Sequence, residues 1–399
     1  MADLPEGEAV PADGSLPDPD VSKGFSAYVH IPFCAVRCGY CDFNTYTNLD
    51  FGPGASVSGF PDSLRREIAL SQHVLRVRGS APLLRTVFFG GGTPTMMNPA
   101  QLAGILRTLH ASFGIAPGAE ITTEANPESV TRESLRELAH AGFTRISFGM
   151  QSAVPHVLHT LERRHTPGQV TAAVHWAREC GLDVSVDLIY GTPGESAADW
   201  ETSVQAAIAL GPDHISAYAL TVEPGTAMGA KVRRGELRMP DPDEQAERYE
   251  QASRILEGAG YRWYEISNWA QPGHECRHNL AYWHNENWWG YGPGAHSHIN
   301  GTRFWNVKHP LAYARALDRG RTPAAAREIL NLTEREEEAV MLGIRLRDGI
   351  AIPAWADKRA VAALIADGLV DASRALRGRL VLTLRGRLLA DAVTRALMP

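Results

Sequence analysis

The chain has 399 residues, 44% of them apolar and 21% charged, with a formal net charge of −6. That length supports one large domain and a smaller one. The acidic balance excludes broad nucleic-acid binding driven by phosphate attraction, and no apolar stretch is long enough to span a bilayer.

Residues 1–23 carry six acidic groups and a single Lys. A secretory signal would need a basic start and an apolar centre, so this segment is expected to be a disordered acidic tail and the protein cytoplasmic. From residue 24 to 262, short apolar runs alternate with helical patterns. The runs are Ala27–Ile31, Arg85–Phe89, Glu120–Glu124, Arg145–Met150, Val184–Tyr190 and His214–Leu220. Helix starts stand between them: Asn98-Pro99 and Thr166-Pro167 pair an N-cap with Pro at the first helical position, and Asp241-Pro242-Asp243-Glu244 adds a capping-box Glu. Six strand–helix repeats predict an α/β fold, a partial (β/α)6 TIM-like barrel. An open doubly wound sheet is the competing architecture. The polar motifs fall at the C-terminal ends of successive strands, which favours the barrel.

Residues 263–329 hold six of the nine tryptophans and six histidines, and read as a separate aromatic and His-rich extension. Residues 330–399 open on the capping-box pattern Leu332-Thr333-Glu334-Arg335-Glu336. Helices there precede a strand at Arg379–Leu384, which suggests a winged-helix-like module. Arg374, Arg377, Arg379, Arg385 and Arg387 of this module are expected to form a solvated face, with no nucleic-acid partner.

Five cysteines occur, and three of them, Cys34, Cys38 and Cys41, follow the first strand at the spacing C-x3-C-x2-C. In a cytosolic chain such clustering points to a metal or to catalysis rather than to disulfides. Thiolates suit an iron–sulfur cluster or zinc, but a closed zinc site wants four ligands and no fourth stands at ribbon-like spacing. A cubane held by three thiolates leaves one iron free to chelate the amino and carboxylate groups of S-adenosylmethionine. An electron from the cluster can then cleave the sulfonium and release a 5′-deoxyadenosyl radical. Zinc, or three buried thiols, is the alternative. Phe89-Gly90-Gly91-Gly92-Thr93-Pro94 ends the second strand, and its glycines let backbone approach a charged amino-acid moiety.

With these motifs in order, the chain from Tyr28 to its C-terminus resembles the radical S-adenosylmethionine superfamily. Within it, the similarity is to the branch containing oxygen-independent coproporphyrinogen III dehydrogenase and the HemW-like haem chaperones. The resemblance implies a [4Fe–4S] cluster on Cys34, Cys38 and Cys41, and S-adenosylmethionine bound beside it. It places Tyr28 against the sulfonium or the cluster, with Tyr40 lining the same pocket. Gly91, Gly92 and Thr93 would hold the methionine part and Glu124 its amino group. Gln151 would reach the ribose, Arg163 the carboxylate, and Asp187 would hydrogen-bond the ligand from its strand end. These residue types match the ligand's charges, although Glu124 and Asp187 read equally as buried acids bracing the barrel.

The dehydrogenase has a fourth Cys two residues after the third. Phe43 stands there, as in HemW-like proteins, and Cys276-Arg277-His278-Asn279-Leu280-Ala281-Tyr282-Trp283 carries their HN-x-x-YW pattern. The resemblance therefore implies a haem chaperone that binds haem, with His278 as axial ligand and Cys276 as its rival, and passes it to an acceptor protein. A hydrogen-bonded corner built on His278 and Asn279 is the structural alternative. Oxidative decarboxylation of coproporphyrinogen III is the enzymatic alternative. A homodimer, and peripheral membrane contact through the partner, are both left open.

Overall fold

The computed structural model describes residues 5–22, 24–75 and 82–398. Strands β1 (Phe25–Ile31), β2 (Leu84–Gly91), β3 (Ile115–Ala125), β4 (Arg145–Gln151), β5 (Asp183–Tyr190) and β6 (His214–Ala219) pair in sequence order, all parallel. Helices α1 (Phe60–Leu75), α2 (Pro99–Phe113), α3 (Arg132–His140), α4 (Pro155–Thr160), α5 (Pro167–Glu179) and α6 (Ala197–Ala209) fill the crossovers, and α7 (Ala227–Arg233) and α8 (Pro242–Gly258) follow β6. This is the partial barrel that the strand–helix alternation predicts. Asn98 and Thr166 cap α2 and α5 through reciprocal bonds with Gln101 and Gln169, and Asp241 caps α8 through the amides of Asp243 and Glu244.

Outward-facing apolar residues of the strands, such as Val29, Val87, Ile146 and Val186, are fully buried against the helices. The alternate residues point inward and are mostly polar: Ser26, Tyr28 and His30 on β1, Thr122 and Glu124 on β3, Arg145 and Ser147 on β4, Ser185 and Asp187 on β5. The barrel interior is therefore a polar chamber rather than a packed core.

The expected extension is not separate from the barrel. Its two halves continue the sheet at opposite edges. β7 (Arg262–Glu265) and β8 (Asn268–Ala270) pair antiparallel beyond β6, while β9 (Asn287–Tyr291) runs parallel to β1 on the other side. Between them α9 (Arg277–Trp283) crosses from one edge to the other under the barrel. Hairpin strands β10 (His296–Ile299) and β11 (Thr302–Asn306), helix α10 (Pro310–Asp318) and β12 (Ala324–Ile329) finish the sheet.

Two further expectations are corrected. Of the segment expected to be a disordered tail, residues 1–4 and 23 lie outside the described residues, and residues 5–22 are pinned down: Glu8 bridges Arg327 on β12, Ala12 accepts from the Thr322 amide, and Asp18 accepts from Asn300. Its backbone covers an otherwise open sheet edge. In the C-terminal module the cap of α11 (Leu332–Gly343) is Asn331 paired with Glu334, two residues ahead of the expected Thr333, because Asn is the stronger cap and its partner still falls three residues on.

That module continues with β13 (Ile350–Ala351), α12 (Lys358–Ala366), α13 (Ala372–Ala375), β14 (Arg379–Leu380), α14 (Leu384–Leu388) and α15 (Ala390–Leu397), around an apolar core of its own. Some of its arginines are occupied: Arg379 donates to the Asp348 and Gly349 carbonyls, and Arg387 lies 3.9 Å over the Trp263 ring.

One buried carboxylate ties the β9 edge to the barrel. Glu67 of α1 accepts from the Gly292 amide at 2.8 Å, Asn306 Nδ2 at 2.7 Å and the Tyr313 hydroxyl at 2.5 Å. Burial pushes its carboxyl up to about 7 despite these donors. Glu67→Ala would take the acceptor from the Gly292 amide and the Tyr313 hydroxyl, while Asn306 Nδ2 would keep the Gly292 carbonyl at 2.9 Å. We expect it to lower the unfolding free energy in urea by about 3 kcal/mol, with Glu67→Gln costing less. Equal stability of Glu67→Ala and the parent would contradict this role.

Candidate functional site

The three clustered cysteines lie on the loop after β1, and all of them line one cavity of about 800 Å³ inside the barrel. Their loop is braced from several sides. Asn44 donates to the Pro293 and Lys308 carbonyls at 2.9 Å each, and His30 Nε2 bonds the Asn44 carbonyl at 2.9 Å. The Met228 amide of α7 reaches the Gly39 carbonyl, and Lys231 of the same helix pairs with Glu162 at 2.6 Å. The Tyr-Gly-Pro-Gly stretch after β9 thus serves as a backbone cradle for the cysteine loop.

The sulfurs have polar company. Thr93 donates to Cys34 Sγ at 3.7 Å and Arg163 to Cys38 Sγ at 3.4 Å, while the Thr45 hydroxyl stands 4.0 Å from Cys41 Sγ. Burial raises the Cys34 thiol to about 11 and the Cys41 thiol more modestly. Loading them with a metal therefore displaces protons and is favoured by the compensating positive charge. Three free thiols on one cavity wall with hydrogen-bond donors to sulfur, the cavity's other thiol, Cys276, being bonded to Glu120 at the base, fit an iron–sulfur cluster with one open corner.

Opposite the cysteines, the end of β2 comes close on backbone alone. Gly91 has φ of 106°, and a Cβ there would lie 2.4 Å from the His30 ring; a Cβ on Gly92 would lie 2.6 Å from the Phe33 carbonyl oxygen. The Gly91 amide donates to Glu124 Oε2 at 3.1 Å. A relay of bonds then runs Arg163 to Asn126 Oδ1 at 2.6 Å, Asn126 to Thr93 Oγ1 at 3.1 Å, and Thr93 to Cys34. Gln151 closes β4 at a bulge with φ of 63°, a left-handed conformation that costs a non-glycine residue about 1 kcal/mol and is held here at the cavity wall. Arg163, not its exposed neighbour Arg164, faces the cavity.

Every expected contact of the small-molecule pocket is brought together: Tyr28, Tyr40, Gly91, Gly92, Thr93, Glu124, Gln151, Arg163 and Asp187 all line the one cavity. Tyr28 hydrogen-bonds His30 Nδ1 at 3.0 Å, and Asp187 accepts from Ser147 at 2.9 Å. Glu124 and Asp187 are two half-buried acids on the cavity wall, without a salt bridge among the described residues. Burial first, and then the field of Asp187, raise Glu124 to about 8; burial also raises Asp187. Such a pair is set to receive a cation.

The HN-x-x-YW segment forms α9, which closes the base of the same cavity. Glu120 holds its start by accepting from the Arg277 and His278 amides and from the Cys276 thiol. His278 is 2% exposed, and both ring nitrogens are engaged, Nδ1 with Thr86 Oγ1 at 2.7 Å and Nε2 with Tyr282 Oη at 2.8 Å. Burial lowers its pKa to about 3, so the ring is neutral. An iron taken at His278 must displace one of these two bonds. Cys276 is buried, with its thiol raised to about 12. Phe43, by contrast, is 61% exposed at the cavity mouth.

Several lining residues escaped the motif reading: Asn126, Arg145, His214, Tyr218 and Tyr264. Arg145 and His214 begin their strands and point inward with the polar alternation, a period-two pattern visible in Arg145-Ile-Ser147-Phe-Gly149 and His214-Ile-Ser216-Ala-Tyr218.

Comparison with known proteins supplies three findings. Residues 28–207 match the Radical SAM superfamily. The chain is 49% identical over 383 residues to the heme chaperone HemW of Mycobacterium tuberculosis, covering 95% of this chain and 96% of that one, and 36% identical over 338 residues to HemW of Bacillus subtilis, covering 84% and 86%. Its fold matches that of the coproporphyrinogen III oxidase HemN from Escherichia coli with a TM-score of 0.81, at 23% identity over 96% of this chain and 91% of that one.

The raised Glu124 carboxyl gives a pH signature. Its ordinary value is 4.5 and its folded value about 8. Below both, it is protonated in folded and unfolded chains alike. Between them the unfolded chain releases a proton that the folded chain keeps, so the folded state loses stability as pH rises. Urea unfolding of Glu124→Gln, which mimics the protonated form, is expected to show a flatter fall from about pH 5 to about pH 8 than the parent. Parallel pH profiles would contradict a buried, uncompensated Glu124.

Proposed function

The chain belongs to the HemW family within the Radical SAM superfamily, and from that premise we propose that it binds haem and delivers it to an acceptor protein. Radical SAM membership implies a [4Fe–4S] cluster and S-adenosylmethionine, and the cysteine loop and the cavity beneath it fit both. The observation that carries the chaperone reading is the near full-length relationship to proteins of that name. Phe43 at the place of the dehydrogenase's fourth Cys and the α9 motif at the cavity base support it.

In this reading Cys34, Cys38 and Cys41 hold the cluster, which when bound supplies an electron for chemistry at the sulfonium. Glu124 would accept a hydrogen bond from the amino group, with the Gly91 amide steadying the carboxylate. Gly91 and Gly92 bring backbone against the methionine moiety, and Thr93 orders the Cys34 sulfur. Arg163 keeps positive charge beside Cys38 and offers its Nε, which has no hydrogen-bond partner, to a carboxylate. Gln151 and Asp187 reach the ribose side. Tyr40, packed beside Cys38 and Arg163, excludes water from the cluster loop.

Haem would be held lower in the cavity, against α9. His278 would bind its iron through Nε2, the nitrogen now bonded to Tyr282 Oη, and neutral imidazole is the form that ligates iron. The bond to Thr86 fixes the ring while Nε2 changes partner. Tyr282 thus gates the ligand.

Haem titration into the cluster-loaded protein, followed at the Soret band, tests this. The wild type is expected to bind one haem per chain. His278→Ala should shift the Soret band and weaken binding, whereas Tyr282→Phe, which removes the competing hydroxyl, should tighten it. No stoichiometric uptake by the wild type would remove the chaperone reading. Protoporphyrinogen formed from coproporphyrinogen III by the reduced, cluster-loaded protein would establish the dehydrogenase instead.

A further inference from the structure

The cavity extends well below the pocket that the family relationship accounts for. Beneath the level of Glu124 and Asp187 it continues to the floor made by α9, and its lining there is sharply divided. One wall is aromatic. The Phe88 ring stacks on His278 with centroids 5.1 Å apart and planes 20° from parallel, and Tyr28 stacks on Phe88 at 6.3 Å and 27°. Tyr282 meets His278 edge-on at 4.8 Å. Packed on one another, these rings make one side of the chamber aromatic.

The other wall carries hydroxyls and one fixed cation. Ser147, Ser185 and Ser216 line it, with Arg145 at its base. Arg145 is 3% exposed. Its Nη1 donates to the His274 carbonyl at 2.9 Å, but its Nη2 has no hydrogen-bond partner, and neither has the buried hydroxyl of Thr122, which lines the same chamber.

The acids near Arg145 are committed elsewhere. Glu120 is taken up by the start of α9 and by Arg277, and Asp183 by His274 Nδ1 at 3.1 Å. Among the described residues neither closes a salt bridge on Arg145. A buried guanidinium that keeps a free donor nitrogen is costly unless something else pairs with it, and a fork of N–H groups is shaped for a carboxylate.

We propose that the lower chamber is a binding site for a flat ring bearing a carboxylate arm, with the ring along the Tyr28–Phe88–His278 wall and the carboxylate on Arg145. The site rests on the haem reading above, under which the carboxylate is a haem propionate. Arg145 then orients the macrocycle in its own plane, while the aromatic wall accepts any flat ring. The carboxylate of S-adenosylmethionine has the same chemistry and is the competing source, so the test separates the two.

Haem and haem dimethyl ester, whose propionates carry no charge, are titrated into the full-length, cluster-loaded wild type in the same detergent. The ester is expected to bind about tenfold more weakly or worse. Arg145→Gln, checked for unchanged cluster content, should bind haem only as well as the ester and should keep the wild-type affinity for S-adenosylmethionine. Equal wild-type affinity for haem and its ester would overturn the site while leaving haem binding intact, and this comparison needs no variant to fold. A loss of S-adenosylmethionine binding in Arg145→Gln with haem discrimination retained would also overturn it, by assigning Arg145 to the other carboxylate. Wild type that binds neither porphyrin would remove the haem reading and this site with it.

Discussion

The structure depends on holding three thiols at a barrel mouth so that they converge on one small volume yet leave one side of it open. Sulfur ligands alone cannot do this, because the eight-residue stretch from Cys34 to Cys41 has too much freedom to stay converged. Rigidity is imported from four directions. Asn44 and His30 tie the loop to the Pro293 and Lys308 side, the α7 amide of Met228 ties it to the far loop, Arg163 reaches Cys38 from the loop between α4 and α5, and Gly91 and Gly92 bring the end of β2 against it without side chains. Only glycine could fill the last role, since any Cβ would strike His30 or the Phe33 carbonyl. The remote Glu67 node belongs to the same device, because it anchors Gly292 next to the Pro293 carbonyl that Asn44 binds.

A second constraint follows from the first. A barrel whose interior must accept a charged ligand cannot be filled with leucine and valine, so it lines itself with serine, threonine, histidine and buried acids. Such groups cost free energy unless each is paired. Most are: His214 is held between Ser185 and Tyr264, His278 between Thr86 and Tyr282, and Asp187 by Ser147. Both histidines stay neutral by burial. Among the residues that line the cavity, the Nε of Arg163 and the Nη2 of Arg145 keep no hydrogen-bond partner, and Glu124 stands against Asp187 with no cation between them among the described residues. Closure of the base by α9 makes this economy workable, since it keeps bulk water from the lower chamber and binds the two sheet edges together.

Much of this was legible from the chain alone. The cysteine spacing, the strand runs and the polar residues at strand ends are local signals, and all of them fall where the alternation of strands and helices places them. Long-range pairing was not legible. Nothing in Asn287–Tyr291 announces a parallel strand beside β1, because its partner lies some 260 residues earlier, so the segment read as a separate extension. The acidic tail read as disordered because its composition is polar. It is held by backbone bonds to an edge strand, which composition does not encode. His278 was found by its motif, but its two hydrogen bonds to Thr86 and Tyr282 are tertiary facts. Arg145 went unnoticed because a strand-initial arginine is ordinarily a solvated end, and only the helix laid beneath it turns that end into the floor of a chamber.

The central claim is a four-iron cluster on three thiols with one iron open to a small ligand. Electron paramagnetic resonance of anaerobically reconstituted, dithionite-reduced protein, with and without S-adenosylmethionine, measures that most directly. The account predicts about four iron and four sulfide per chain and a cluster signal whose g-values change when S-adenosylmethionine is added. Protein that takes up zinc without a cluster chromophore, or a cluster signal indifferent to S-adenosylmethionine, would contradict it.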